Sequence, residues 1–357
     1  MIVAMWEDDG ARNGSMRYTL TDTENDRLWG ACYEVEGLFA EPVRETYELF
    51  GWVPETPGVR YRVGSRVWFV PQGTDLGPWL LEDVESLGPH PGTDGLVLTG
   101  TDGHEEPPVG HRGTVRLHDE YRWIGSCREF TRILRAEEPQ PRLVLRGFAP
   151  SGRMRQALGE AELGIMDDRG EPFTERYLWP TVDAWRPSSL GEDLIDVELD
   201  LGRGRFGSVP EHVRPVWERW RAGPPGTVGA WTELSTPRRE TWLDLVCERG
   251  CRVAHEDRSG AAYELDGRHV TDVPGLYLAL GEAVNGPGGY LGNCTGAVAD
   301  CLRGGFGHTG PSTLLWHDSA TAREHLPHVL APDGHPYDLL AEVLDILSRG
   351  GMRVTLA

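Results

Sequence analysis

The clearest alternation of apolar and polar positions lies in the last hundred residues of the chain. Apolar side chains recur at helical spacing over residues 273–284 and again over 337–349, which predicts two amphipathic helices. Short apolar runs at 261–270, 312–316 and 352–357 predict strands. The C-terminal part of the chain is therefore expected to be an α/β unit.

One more helix is predicted between the first of these helices and the middle strand, over residues 290–307. At about 100° per residue, Gly296, Ala299 and Asp300 lie opposite an apolar arc. That arc is formed by Ala297, Val298, Cys301 and Leu302. A face built only for solubility carries several long charged side chains, whereas this face carries one carboxylate among very small ones. We expect a partner to press flat against it and to meet Asp300.

A motif in this segment points to a known family. The pattern aromatic–x–Gly with a later Asp-Cys-Leu is formed by Tyr290, Gly292, Asp300, Cys301 and Leu302. With the order of strands and helices, it resembles the barstar-like family of ribonuclease inhibitors over about residues 261–357. The resemblance implies an α/β domain with a three-stranded parallel sheet packed with helices.

The resemblance also implies a partner. In this family the helix and the loop before it plug the active site of a basic ribonuclease, or of a related toxin. Asp300 would take the place of an RNA phosphate. Such active sites hold phosphates with Arg, Lys and His, and a rigid carboxylate can pair with these cations bidentately.

The residues that the resemblance places at the partner interface surround Asp300. They are Tyr290, Gly292, Asn293, Gly296, Ala299, Asp300, Arg303, Gly304 and, on the last helix, Asp345. Gly296 stands where the family often has a second Asp, and Ala299 where it often has Trp or another large residue. Two functions therefore stay open. One is an inhibitor or immunity protein that blocks a basic enzyme, and the other is a multidomain scaffold or regulatory binding module that has lost ribonuclease inhibition.

The chain before residue 228 is rich in short β-type runs separated by Gly, Pro and Asp-Gly turns. We expect a β-rich domain at 16–135, as a sandwich or partly open barrel, and a small mixed α/β domain at 140–222. Residues 1–15 are expected to be a flexible leader. An Ala-Gly-Pro-Pro-Gly segment ends at residue 226, so a C-terminal domain at 228–357, with its core at 261–357, is expected to fold on its own.

Composition narrows the class of partner. The 357 residues carry 35 basic and 56 acidic side chains, for a net charge of −21, which disfavours direct binding to nucleic acid. A negative surface suits a basic protein partner. Every basic residue is Arg and none is Lys, and 46 Gly and 26 Pro accompany them, which is typical of a high-GC bacterial genome such as an actinobacterium's.

The cysteines and the N-terminus indicate a compartment. Six cysteines are scattered through the chain without dense pairing, and Cys294 and Cys301 are expected to be buried. The first residues include Trp-Glu-Asp-Asp where a signal peptide needs an apolar core, and no run reaches transmembrane length. We expect a cytoplasmic protein with reduced thiols and no membrane partner.

Other candidate sites in the chain are weaker. Cys247, Cys251 and His255 are spaced by three residues each, but zinc sites usually pair Cys-x2-Cys with a second pair of ligands. The glycine-rich run at 202–207 lacks the Lys and the following helix of a phosphate loop. The acidic pairs at 167–168 and 192–193 have the composition of turns. We therefore expect no metal, no cofactor and no catalytic residue, while an enzyme with its active site in the N-terminal half stays a third possibility.

Overall fold

The computed structural model describes residues 16–40, 44–56, 63–102, 111, 113–133, 142–152, 159–201, 209–253, 255–326 and 329–357. The helices are α1 (Arg214–Arg221), α2 (Thr236–Arg252), α3 (Val273–Asn285), α4 (Thr295–Cys301), α5 (Ser319–His325) and α6 (Leu339–Arg349), and Glu211–Val213 is a 3-10 turn. None of these described helices is both long enough and apolar enough to cross a membrane. The expected leader and the glycine-rich run at 202–207 lie outside the described residues.

The described strands fall in three parts of the chain. The first part contains β1 (Tyr18–Asp22), β2 (Arg27–Cys32) and β3 (Glu34–Glu36), then β4 (Glu45–Phe50), β5 (Val53–Pro54), β6 (Arg66–Pro71), β7 (Trp79–Pro89), β8 (Leu96–Asp102), β9 (Val115–His118), β10 (Trp123–Cys127) and β11 (Glu129–Arg132). The second contains β12 (Leu143–Pro150), β13 (Ala161–Met166), β14 (Pro172–Leu178), β15 (Thr181–Pro187) and β16 (Ile195–Asp200). The third contains β17 (His255–Arg258), β18 (Ala262–Asp266), β19 (Phe306–His308), β20 (Ser312–His317), β21 (Val329–Leu330), β22 (Pro336–Tyr337) and β23 (Met352–Leu356).

The first sheet joins distant parts of the chain. Its order is β14-β13-β1-β2-β12-β16-β15, with β3 beside β12. Only Trp179 and Pro180 separate the edge strands β14 and β15, so three Cα steps, about 11 Å at most, connect the two edges. The sheet must therefore curl until its edges meet at one corner.

The second sheet is built from residues 45–132 and is inserted between the strands of the first. Its order is β11-β4-β8-β7-β6-β9-β10-β5. Arg128 alone connects β10, near one end, to β11, at the other, and its N–H donates to the carbonyl of Phe50 at 2.9 Å. The sheet is therefore rolled around its own apolar core, which includes Tyr47, Phe69 and Phe130. We call residues 45–132 the inserted barrel.

Strand pairing crosses the limit that the sequence places between residues 135 and 140. β1 to β3, expected in one β-rich domain with the inserted barrel, instead pair with strands between residues 143 and 200. Antiparallel pairing between segments more than a hundred residues apart leaves no local trace in the chain, because turn signals report only where a strand ends.

The C-terminal unit contains the predicted three-stranded parallel sheet. Its order is β18-β20-β23, and both pairings are parallel. Helices α3 and α4 connect β18 to β20, and α5 and α6 connect β20 to β23. Asp272 and Asp338 begin α3 and α6, because each carboxylate accepts a hydrogen bond from an N–H of the first turn.

One continuous apolar core joins this unit to the first sheet. Trp217 and Trp220 of α1 and Trp242 of α2 are buried in it, and the rings of Trp220 and Trp242 meet edge to face at 5.4 Å. On the same interface Arg252 of α2 pairs with Glu175 of β14 at 3.1 Å. The core therefore runs across the domain boundary that the sequence places at residues 222–228.

Candidate functional site

The helix that carries Asp300 is much shorter than the predicted span of 290–307. It covers only α4, Thr295–Cys301, and the longer prediction is wrong. Before α4, Gly292 has a φ of 101°, and a Cβ there would lie 2.5 Å from the backbone nitrogen of Val298. After α4, Gly304 and Gly305 have φ values of 118° and 88°. Glycines in the left-handed region end a helix on its C-terminal side, as Gly304 and Gly305 do here. The N-terminal end is capped by Cys294.

The two faces of α4 follow the prediction except at Ala299, which was expected on the exposed face. Val298, Cys301 and Leu302 are buried in the core, and Asp300 lies opposite with 71% of its side chain exposed. Gly296 is exposed, while Ala299 is half-buried and packs against the core. The outer surface of α4 therefore presents one carboxylate with no large side chain beside it on the helix.

An Arg accompanies each candidate carboxylate. Asp300 lies 3.3 Å from Arg303, one turn along, and Asp345 of α6 lies 2.5 Å from Arg349. α6 ends against α4, because a Cβ at Gly350 would lie 2.7 Å from Leu302. Pairs this exposed contribute little to stability and rearrange readily. Each of the two candidate carboxylates is thus exposed and already paired with a neighbouring Arg.

Tyr290 and Gly292 lie inside the molecule. Tyr290 is 5% exposed, its ring meets Phe306 edge to face at 5.9 Å, and its hydroxyl is hydrogen-bonded to the Cys247 thiol. Gly292 is buried as well, whereas Asn293 is exposed and donates to the Cys247 sulfur at 3.7 Å. A partner that leaves the loop in place therefore cannot touch Tyr290, although the resemblance places it at the interface.

Two side chains that the sequence did not single out hold the ends of this segment. The side-chain amide of Asn285 donates to the carbonyls of Tyr290 at 2.8 Å and Phe306 at 2.9 Å. The Asp257 carboxylate accepts from the backbone N–H of Gly305 at 2.8 Å and of Gly307 at 3.1 Å. Their partners are backbone atoms, most of them more than twenty residues away, so no side-chain motif could have revealed them.

The thiols around α4 are free. Cys301 is buried, but Cys294 is exposed, contrary to the expectation, because it caps α4 by accepting the N–H of Ala297 at 3.4 Å. Burial raises the pKa of Cys301 to about 12, so it is a neutral thiol at physiological pH. Within the described residues, no three His, Cys, Asp or Glu side chains come together in a way that could hold a metal. This applies to Cys247, Cys251 and His255 as well.

The acidic pairs behave as turn residues in the structure. The Asp167 carboxylate accepts from the N–H groups of Arg169 at 2.8 Å and Glu171 at 2.9 Å, which is an Asx-type turn.

Comparison of the whole chain with protein-family models, with curated proteins and with solved structures gives no match. The geometry of α4 and its surroundings therefore carries the functional argument.

Proposed function

We propose that this chain is a non-enzymatic inhibitor or immunity protein that binds and blocks a basic ribonuclease or a related toxin. The observation that carries the proposal is the exposure of Asp300 on α4, beside the exposed Gly296 and the half-buried Ala299. The barstar-like resemblance supports it, as does the order of elements from β18 to β23 around a parallel sheet.

The chemistry of such a contact is simple. A ribonuclease pocket lined with Arg and His would pair with the Asp300 carboxylate in place of a phosphate. Arg303 would give up its contact with Asp300 at small cost, because its side chain is 80% exposed. The net charge of −21 would steer a basic enzyme toward this surface.

One set of observations favours the second function, a scaffold or regulatory binding module. Tyr290 is buried, and Asp300 already has a cationic neighbour in Arg303. The core of the C-terminal unit also continues into the first sheet, so the unit resembles one part of a larger body more than a free inhibitor module. In that function the face of α4 would meet a partner of mixed charge rather than a catalytic pocket.

A binding experiment with Asp300→Ala tests the proposal. The probe is a purified small basic secreted ribonuclease, first of all one encoded beside this chain, and the readouts are its inhibition and its Kd. We expect a loss of about 2–5 kcal/mol, because the cations of the pocket stay buried and unpaired, a range set partly by complexes of the barstar-like family. Asp333→Ala, which removes another exposed carboxylate, from the β21–β22 turn (59% exposed against 71% for Asp300), is the matched control and should leave the Kd unchanged.

Salt dependence separates the two functions. If the ribonuclease proposal holds, the on-rate should fall steeply from low to physiological ionic strength while the off-rate changes little. Phosphate mimicry would be contradicted if Asp300→Ala left the Kd unchanged and the on-rate did not depend on salt. Such a result would favour the scaffold.

A further inference from the structure

A segment of the same chain covers the loop that leads into α4. Residues 225–231 lie in the connection between α1 and α2 and contact Gly288 in the loop at 285–290. A Cβ at Gly288 would lie 2.6 Å from Cγ of Pro225, so this contact is closer than any side chain at Gly288 would allow. Gly288 is buried beneath Pro225. We call residues 225–231 the strap.

One buried carboxylate joins the strap to the loop. Glu282 of α3 is 5% exposed, and its Oε2 accepts from the backbone N–H of Gly229 at 2.8 Å and from the indole N–H of Trp231 at 2.9 Å. Its Oε1 accepts from the backbone N–H of Gly288 at 3.2 Å. Three N–H groups converge on two carboxylate oxygens, and two of these donors belong to the strap.

The two ends of the strap are held differently. Trp231 is 2% exposed, and the Arg239 guanidinium lies 5.2 Å from its ring centroid. Residues 226–228 are exposed, and Val228 has 62% of its surface in solvent. The exposed middle of the strap is therefore held on both sides, and Gly288 becomes accessible only when the contacts of Gly229 and Trp231 with Glu282 are released and Pro225 moves away.

We infer that the strap is an intramolecular cover of Gly288 in the loop at 285–290, that Glu282 is its latch, and that a partner reaches Gly288 only when the latch opens. With the strap closed, a partner meets Asp300 on the exposed face of α4 and the flanking residues Asn293 and Arg303. With the strap open, it also reaches Gly288. The consequence for binding rests on the proposed function, whereas the latch itself does not.

Hydrogen exchange on the full chain tests the latch by comparing Glu282→Gln with the parent protein. Glu324→Gln, which changes an exposed carboxylate of α5, is the control. We expect the amides of residues 228–232 and 286–290 to exchange roughly 10- to 100-fold faster in Glu282→Gln, which is the effect of losing hydrogen bonds to a charged acceptor. The amides of β18, β20 and β23 should keep their rates, and Glu324→Gln should change none.

A second variant keeps the test open if Glu282→Gln folds poorly. Trp231→Phe removes one of the three donors and should accelerate the same amides by roughly tenfold. Equal acceleration throughout the three-stranded sheet would show that Glu282 merely stabilises the fold, and unchanged strap amides would show that there is no latch. Either result overturns the inference. Absence of ribonuclease binding by every variant would instead overturn the proposed function and leave the exchange result standing.

Discussion

The inserted barrel and the C-terminal unit hold their cores in opposite ways. The buried apolar cluster of the barrel lies entirely between Tyr47 and Phe130, inside one rolled sheet. The core of the C-terminal unit continues through α2 and α1 into the first sheet. The contacts that connect the barrel to the rest include polar ones, such as Arg66 with Glu240 at 3.6 Å and His118 with the Pro332 carbonyl at 3.2 Å. The inserted barrel, in which the sequence shows no recognisable motif, is thus the more self-contained of the two regions.

The largest expected effect is on isolated fragments. We expect residues 44–133 alone to unfold cooperatively, because their core is complete. Residues 228–357 alone should not form a stable fold, although the sequence indicates that they would. Without α1 and β14, Trp242 loses its cover and Arg252 its partner Glu175. Thermal unfolding and the dispersion of amide NMR signals show whether each fragment is folded. A folded 228–357 fragment and an unfolded 44–133 fragment would show that the C-terminal unit does not need the shared core.

Core truncations make the same comparison within the intact chain. Trp242→Ala and Phe130→Ala should each cost about 3–5 kcal/mol, because both side chains are fully buried. Trp242→Ala should destabilise the first sheet and the C-terminal unit together, whereas Phe130→Ala should act on the barrel alone. The amide hydrogen-exchange rates of each region, measured under mild denaturant, distinguish these two outcomes. Spread of the Phe130→Ala effect to β18, β20 and β23 would contradict the separation of the cores.

A smaller, pH-dependent effect is expected where the two regions touch. Burial raises the pKa of Glu240 on α2 to about 7. The charge of Arg66 lowers this pKa, whereas the nearby carboxylates of Glu82, Asp244 and Glu120 raise it further. A raised carboxyl pKa stabilises the fold below about pH 4.5, and this stabilisation is lost as the pH rises toward 7. Glu240 has 45% of its side chain exposed, so we expect less than about 1 kcal/mol.

Glu240→Gln is the variant that isolates this effect. It should flatten the decline in stability between pH 4.5 and 7 and leave stability below pH 4.5 nearly unchanged. Denaturant unfolding at several pH values measures the slope. A slope identical to that of the parent protein would mean that Glu240 does not titrate in this range.

The smallest effect on stability is expected at the candidate site itself. Asp300→Ala should change the free energy of unfolding by no more than about 0.5 kcal/mol, because Asp300 is exposed and its contact with Arg303 is a surface pair. Melting temperatures of the same sample used for binding check this. A large loss of stability would mean that any loss of affinity reports damage to α4 rather than a lost contact.

Much of the C-terminal unit was predictable because its signals are local. Helical spacing predicted α3 over 273–284 and α6 over 337–349, and the structure places them at Val273–Asn285 and Leu339–Arg349. α4 was overestimated because helical spacing continues through its flanks. Only the cap that Cys294 provides and the conformations of Gly304 and Gly305 show where α4 begins and ends. The exposed position of Asp300 followed correctly from its angle on the helix.

By itself, the sequence determined the periodic helices, the strands of the parallel sheet, the acidic balance and the isolated carboxylate on α4, since each depends on neighbouring residues or on composition. Tertiary structure alone decided which strands share a sheet, where one core ends and another begins, and which candidate residues reach the surface. Tyr290 shows why. The barstar-like resemblance places it at an interface, but Tyr290 is buried because it packs against Gly250, whose Cβ would lie 2.4 Å from that of Tyr290, and against Phe306. Such contacts join residues far apart in the chain, and local pattern carries no information about them.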